Sequence, residues 1–222
     1  DTLYVQEAND TTTQLWVVSG ASKVANSATV SHSGSLSASG DTGGYGIAAG
    51  SGSVYAYFNG GSSIVYNGTT YTGQRLRAGS ASAGFTQVLI GPNTPVSKWG
   101  SLALDTSDNW LYVAQHDTDA SSSNAPIAVF TTGQFKDGYN QTPKFTLGSA
   151  SAQGTLRAIA HPGTKDWLAG ITSSSDKGSN VIWLWKQPSL WYSSSSSATD
   201  PVQVTLSSST AQIRGLAMDG NN

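Results

Sequence analysis

Hydrophobic residues in this chain fall in short runs and not in long or helical patterns. Clear examples are residues 15–18, 110–113, 127–130 and 182–185. The runs are rich in β-branched and aromatic residues and are separated by Gly, Ser, Asn and Asp, a pattern typical of β-strands joined by turns. No useful length of chain shows the 3.6-residue hydrophobic spacing of a helix. The pattern therefore predicts an all-β protein.

Three segments match one another without gaps: residues 100–113, residues 157–170 and residues 214–219. Each starts with a small-apolar strand and a polar turn, and the first two continue into a second strand that begins with Trp. The third copy is cut by the end of the chain, and its continuation is found in residues 1–5, with the spacing of the repeat kept across the jump. This match predicts that the two ends of the chain complete one repeat.

The repeats are evenly spaced, because Leu102, Ile159 and Leu216 follow one another at intervals of 57 residues. The rest of the 222-residue chain has room for two more intervals of this size, and a weaker copy lies in residues 45–57. Four repeats of four strands in a ring predict a four-bladed β-propeller, with blades of about 55 residues, closed by pairing of the N- and C-terminal strands in one blade.

We assign the whole chain, residues 1–222, to a single propeller domain. The predicted blades are residues 213–222 with 1–31 (blade 1), 45–90 (blade 2), 99–148 (blade 3) and 155–207 (blade 4). Within them, residues 64–66 are expected to form the third strand of blade 2, and residues 28–30 the fourth strand of blade 1. Segments 6–13, 32–44 and 58–62 are expected to be loops.

The first strand of each predicted blade has one face made only of small residues. These are Gly46, Ala48, Ser101, Ala103, Ala158, Ala160, Gly215 and Ala217. Residues two apart share a face of a strand, and four strands crowded around one axis leave room only for small side chains. The opposite face carries larger residues such as Leu102 and Ile159, which we expect to pack between blades.

Residues 104–114, followed by residues 127–130, resemble a blade of the NHL/YVTN and lactonase-like propeller repeats. The resemblance covers one blade well, two others partly and the fourth poorly. It implies the propeller fold, although those families usually have six or seven blades. It implies no catalytic residue, because propellers serve as enzymes, lectins and scaffolds alike.

Charge is scarce in this sequence. Charged residues make up 11% of the chain and the net charge is −2, whereas an average soluble domain has about 25% charged residues. The 11 basic residues are scattered among 13 acidic ones and do not form the clusters that bind phosphates. No apolar run approaches the roughly 20 residues of a membrane-spanning helix. We therefore expect neither nucleic-acid binding nor membrane insertion.

Several features favour a secreted or cell-surface protein. The chain starts at Asp1 and not at Met, as a chain does once a leader has been removed. Glycosylation sequons occur at Asn9, Asn67 and Asn140, which are candidate glycosylation sites. The chain has no Cys, so thiol chemistry and disulfides are excluded.

Two predicted loops carry candidate binding residues. His116, Asp117 and Asp119 begin like a calcium-binding loop, but the Gly and Glu that complete an EF-hand are missing, so a solvated Ser-rich loop is the alternative. Trp191 and Tyr192 precede a run of serines. If exposed, this aromatic pair can stack on a sugar or anchor a protein partner; the alternative is a loop folded back on the blade.

Acid–base residues are few. Asp105 and Asp219 occupy equivalent repeat positions, where a strand enters a turn. They are candidates for a pair of hydrolytic carboxylates, but Asp is also a common turn residue. His161 aligns with Leu104 and Met218, so we expect it to pack between blades. No cofactor is expected, and the sequence assigns no metal.

Three functions are compatible with these features. The first is a non-enzymatic extracellular protein that acts through protein contacts and assembles with itself into a surface layer or filament, because near-zero net charge promotes association. The second is a lectin that binds extracellular glycans through Trp191 and Tyr192. The third is a lactonase- or glycosidase-like hydrolase that uses Asp105 and Asp219.

Overall fold

The structure is a computed structural model. It describes residues 2–8, 13–23, 34–37, 40–94, 100–115, 125–163, 165–172, 181–186, 188, 201–207, 213 and 215–219. Within these residues the chain is built of antiparallel β-strands, with only short helical turns between them. The prediction of an all-β protein is confirmed.

Sheet 1 has the strand order β1-β2-β3 and sheet 2 has the order β4-β5-β8-β9. The strands of sheet 1 are β1 (Thr2–Ala8), β2 (Thr13–Ser19) and β3 (Gly34–Ser37), with a 3-10 turn at Ala21–Lys23. Sheet 2 and the hairpin inserted in it contain β4 (Asp41–Gly50), β5 (Ser53–Gly61), β6 (Ile64–Tyr66), β7 (Thr69–Tyr71), β8 (Arg75–Ser80) and β9 (Gly84–Leu89). Within the part of the chain that the structure describes, strands β6 and β7 pair only with each other.

Sheets 3 and 4 are four-stranded meanders in which each strand pairs with the next along the chain. Sheet 3 contains β10 (Leu102–Asp105), β11 (Trp110–Ala114), β12 (Ile127–Thr131) and β13 (Phe145–Leu147), with the helical turn α1 (Gln134–Asp137) before β13. A second turn, α2 (Ala150–Gln153), leads to sheet 4, which contains β14 (Leu156–Ala160), β15 (Trp167–Thr172), β16 (Val181–Lys186) and β17 (Val202–Thr205).

The sheets follow one another in space in the order of the sequence. The first strand of each later sheet packs on two strands of the sheet before it: β4 on β1 and β2, β10 on β4 and β5, and β14 on β10 and β11. The hydrophobic core therefore consists of layers between successive sheets. The largest layers lie between sheets 2 and 3 and between sheets 3 and 4.

Sheet 3 is covered on both faces. On β11, Leu111 and Val113 face sheet 2, whereas Tyr112 and Ala114 face sheet 4. Every residue of β10 and β11 is buried, which explains why both strands, apart from Asp105 at the end of β10, are apolar throughout. Alternation along the strand thus places half of these residues in each neighbouring layer.

Small residues let the inner strands approach closely, as the sequence predicted. A Cβ atom on Gly46 of β4 would lie 2.5 Å from the carbonyl oxygen of Gly100. One sheet further on, the Ser101 hydroxyl accepts a hydrogen bond from the backbone N–H of Ile159, at 3.3 Å. Larger side chains at these positions would force the strands apart.

Several predicted boundaries were wrong. Residues 64–66 form β6 of the inserted hairpin, and the third strand of sheet 2 is β8. Sheet 2 begins at Asp41, β5 continues to Gly61 through the predicted loop 58–62, and β1 and β2 extend into the predicted loop 6–13.

The last strand of sheet 1 also lies elsewhere than predicted. It is β3, at Gly34–Ser37, within the predicted loop 32–44 and beyond the predicted end of blade 1. The predicted strand 28–30 lies outside the described residues.

The hairpin of β6 and β7 was not predicted, although its turn carries a clear sequence signal. Asn67 and Gly68 both have positive φ angles, 48° and 75°, and this conformation closes a two-residue turn between antiparallel strands. The sequence pair Asn-Gly is a strong signal for such a turn, but the match to the other repeats took the apolar run before it as a blade strand.

Candidate functional site

Asp105 stabilises the turn at the end of β10. Its side chain is buried, and Oδ1 accepts backbone hydrogen bonds from Ser107 at 2.8 Å and from Asp108 at 3.2 Å. These bonds reverse the chain toward β11, with Asn109 in a left-handed conformation at φ 60°. The predicted turn role of Asp105 is confirmed.

His161 lies between sheets 3 and 4. Its Nε2 is 3.5 Å from Oδ2 of Asp105, and its Nδ1 accepts the backbone N–H of Gly163 at 3.0 Å. The ring stacks on Tyr112, with centroids 5.4 Å apart. The prediction that His161 packs between neighbouring sheets is confirmed, and its side chain is fully buried.

A second contact joins the same two turns. Both the backbone N–H and the hydroxyl of Thr106 donate to the carbonyl oxygen of Gly163, at 3.0 and 2.9 Å. The turn after β10 and the turn after β14 are therefore held together by hydrogen bonds as well as by ring stacking.

The protonation states around His161 follow from burial. Burial lowers the pKa of His161, and the carboxylates of Asp105, Asp166 and Asp108 oppose this shift without reversing it. The pKa of Asp108 is raised, first by burial and then by Asp105 and Asp166. His161 is thus neutral near pH 7, and since Nδ1 accepts a hydrogen bond, its proton is on Nε2, facing Asp105.

Asp105 and Asp219 differ in their exposure to solvent. Asp105 is 2% exposed, with Oδ1 bound by its own turn and Oδ2 facing His161, whereas Asp219 is exposed. This arrangement gives no support to the hydrolase hypothesis, because a glycosidase needs two carboxyl groups that both face the substrate.

A buried ion pair, which the sequence did not reveal, anchors the hairpin of β6 and β7. Arg75 is fully buried, and its Nη1 is 3.2 Å from Oδ1 of Asp41, while Nε of Arg77 is 2.7 Å from Oδ2 of the same carboxylate. Arg75 also donates to the carbonyl oxygens of Ser62 at 2.9 Å and Gly73 at 3.1 Å. Both ends of the hairpin segment are therefore bound by one guanidinium group.

The hairpin itself is exposed. Val65 is 66% exposed and Tyr66 is 37% exposed. The Tyr66 ring stacks on Tyr139 with centroids 4.0 Å apart, which fixes the hairpin against the segment that follows α1 in sheet 3. The segment from Ser62 to Gln74 contains no charged residue.

A cavity of about 350 Å³ lies where the inner strands meet. It is lined by residues of β4, β10 and β14 and by Ala217 and Met218 of the C-terminal segment. Residues 215–219 are not part of a strand, but two of them thus lie beside the first strands of three successive sheets.

The predicted binding residues all lie outside the described part of the chain: His116, Asp117, Asp119, Trp191 and Tyr192. The sequon residue Asn9 also lies outside it.

The other two sequons differ in accessibility. Asn67 is exposed in the hairpin turn, whereas Oδ1 of Asn140 accepts a hydrogen bond from the backbone N–H of Asn93 at 2.8 Å. Of these two described sequons, Asn67 is therefore the more accessible.

No three His, Cys, Asp or Glu side chains among the described residues are grouped as a metal site. No helix in the described ranges has the length and hydrophobicity needed to cross a membrane.

The chain was compared with known proteins. It matches no known protein-family model and no curated protein sequence. The resemblance to NHL/YVTN and lactonase-like repeats is therefore a sequence-based expectation.

Proposed function

We propose that this chain is a secreted four-bladed propeller that acts without catalysis, through protein contacts, and that a second copy of the chain is one of its partners. The proposal has two parts. The first is that sheets 1 and 4 close the ring, and the second is that the exposed hairpin mediates association.

Closure is supported by one repeat position. Trp110 and Trp167 are equivalent in the repeat, and both begin the second strand of a sheet. Trp110 is 9% exposed in the layer between sheets 3 and 4, whereas Trp167 is 36% exposed on the far face of sheet 4. A fourth layer, formed with sheet 1, would bury Trp167 as the layer between sheets 3 and 4 buries Trp110.

Trp167 shares that face of sheet 4 with apolar residues, although its direct cross-strand neighbour is Lys186, whose Nζ lies 5.3 Å from the centroid of the Trp167 ring. Val202 pairs with Leu184, and Val204 pairs with Ile182, so these four side chains share one face. Val202 and Val204 are 47% and 37% exposed. An aligned apolar row on an outer strand is typical of a surface that meets another sheet.

Sheet 1 offers a matching surface. Leu3 and Val5 of β1 pair with Val18 and Trp16 of β2, and Leu3 and Val5 are exposed. The opposite face of sheet 1 already packs on sheet 2 through Tyr4 and Val17. Because successive sheets pack face to face, contact between the exposed faces of sheets 1 and 4 would complete a ring of four sheets.

The observation that carries the association proposal is the hairpin of β6 and β7. Among the described strands they pair only with each other, so each has an outer edge that no described strand covers. Natural proteins usually protect such edges with Lys or Pro, yet the segment 62–74 has neither. With a net charge of −2, two copies repel each other only weakly. Antiparallel pairing of two identical strand edges is compatible with a dimer of two-fold symmetry.

Molar mass by light scattering across a concentration series tests this proposal. We expect the mass to rise above 22.9 kDa with concentration. Val65→Lys should lower the association constant at least tenfold, because a charge on an edge strand opposes pairing. Ala81→Lys, which adds the same charge in the exposed turn before β9, should lower it much less.

Two results would contradict the proposal. One is a protein that stays monomeric at every concentration. The other is association that Ala81→Lys weakens as strongly as Val65→Lys, since a general effect of charge would then explain it.

A further inference from the structure

A second cavity, of about 370 Å³, lies between sheets 2 and 3. Its walls come from three turns: the one between β4 and β5, the one between β10 and β11, and the segment between β12 and α1. Gln87 of β9 completes the wall. The volume lies within the range of about 300–1,000 Å³ that is typical of small-molecule sites.

The lining is polar and mostly uncharged. Its hydroxyl and amide side chains are Ser51, Ser53, Gln87, Thr106, Asn109 and Thr132. Lys136 is exposed at the cavity, and Asp105 is buried with Oδ1 bound by its turn. A phosphate or nucleotide ligand would need several cations, which this lining lacks.

Tyr55 and Leu104 give the cavity an apolar surface. The Tyr55 side chain is 5% exposed, and its ring meets Phe135 edge to face at 5.2 Å. Burial raises the pKa of Tyr55. Hydrogen bonds with the side chains of Ser53 and Thr132 lower it by less, so the pKa stays raised. The phenol is therefore neutral at physiological pH and belongs to a small group of hydroxyls that are already oriented.

We propose that this cavity binds a single sugar residue of a glycan. Amides and hydroxyls donate and accept hydrogen bonds with ring hydroxyls, while an aromatic ring and Leu104 suit the apolar C–H face of a sugar. The lining is more polar than that of most small-molecule sites, as a ligand with a hydroxyl group on most of its carbon atoms requires. This site is independent of the association proposed above, because the hairpin of β6 and β7 contributes none of its residues.

A glycan panel, followed by ligand-observed NMR titration of the best monosaccharide, tests the site. Gln87→Met removes an amide and keeps the side-chain length. Asn109→Gly removes the other amide and keeps the left-handed backbone, which glycine tolerates. Each change should weaken binding about fivefold, the usual effect of losing one hydrogen bond. Gln203→Met, on the exposed strand β17, should leave the affinity unchanged, and thermal melting checks that all variants fold.

The proposal fails if no sugar on the panel binds at millimolar concentration. It also fails if a sugar binds but Gln87→Met and Asn109→Gly leave the affinity unchanged. Binding that is lost instead in Trp191→Ala would assign the lectin site to the loop of Trp191 and Tyr192.

Discussion

At the scale of single residues, Asp105 and His161 show how titratable groups can serve packing. Asp105 binds the amides of its own turn, and His161 occupies a repeat position that holds Leu104 or Met218 in the other copies. The imidazole stacks on Tyr112 and accepts an N–H from Gly163. The contact between sheets 3 and 4 therefore depends on a neutral histidine.

This dependence gives the protein a pH-sensitive stability. Because the folded state holds the pKa of His161 below its ordinary value, the unfolded chain binds more protons in mildly acidic solution. The unfolding free energy should therefore be highest near pH 7 and fall as the pH drops below about 6.5. Urea unfolding at pH 7.0, 6.0 and 5.5 measures this slope.

His161→Gln should flatten the slope between pH 7.0 and 5.5. If this variant kept the slope of the unsubstituted protein, a different group would be responsible. The raised pKa of Asp108 acts in the opposite direction, at lower pH, which is why the comparison stops at pH 5.5.

At the scale of elements, the sequence was sufficient for the strands that repeat and insufficient for those that do not. Sheets 3 and 4 agree closely with the predicted blades, because their strands keep the same spacing and the same buried positions. In sheet 2 an inserted hairpin interrupts the repeat, and a match by spacing assigned its first strand to the blade. Arg75 and Asp41 are also far apart in sequence, so their buried contact could not be read from local pattern.

The close approach of β4 and β10 yields a prediction at this scale. Gly46→Ala should destabilise the protein by about 1–3 kcal/mol, because its Cβ would meet backbone atoms that cannot move independently. Gly215→Ala is a matched control, since no atom lies within 4 Å of the added Cβ. Denaturant midpoints of the two variants give the comparison, and equal midpoints would contradict the close contact.

At the scale of the whole molecule, the sequence predicted a closed ring. The structure shows sheets 1 to 4 packed one on the next in the order of the sequence, and closure between sheets 4 and 1 stays a prediction. The candidate site was less predictable. The sugar-sized cavity is built from three turns that are distant in sequence and come together only when sheets 2 and 3 pack. Its residues are common turn residues, so no local motif distinguishes them.

Ring closure is tested by comparing two equivalent tryptophans. In a closed ring, Trp110→Ala and Trp167→Ala should each cost about 3–5 kcal/mol of unfolding free energy, because both remove a large buried side chain. In an open array, Trp167→Ala should cost less than about 1 kcal/mol, because its side chain would remain partly in solvent. Equilibrium urea unfolding of dilute protein separates these outcomes.

The clamp formed by Arg75 also has a practical consequence for protein engineering. One guanidinium group binds the carbonyl oxygens of both Ser62 and Gly73, at the two ends of the hairpin segment. Excising the hairpin would therefore remove two acceptors of a buried cation and leave it with Asp41 alone, whereas foreign sequence inserted between Asn67 and Gly68 would leave the clamp intact. This tip is the natural place on the described surface to graft an epitope or a fluorescent reporter.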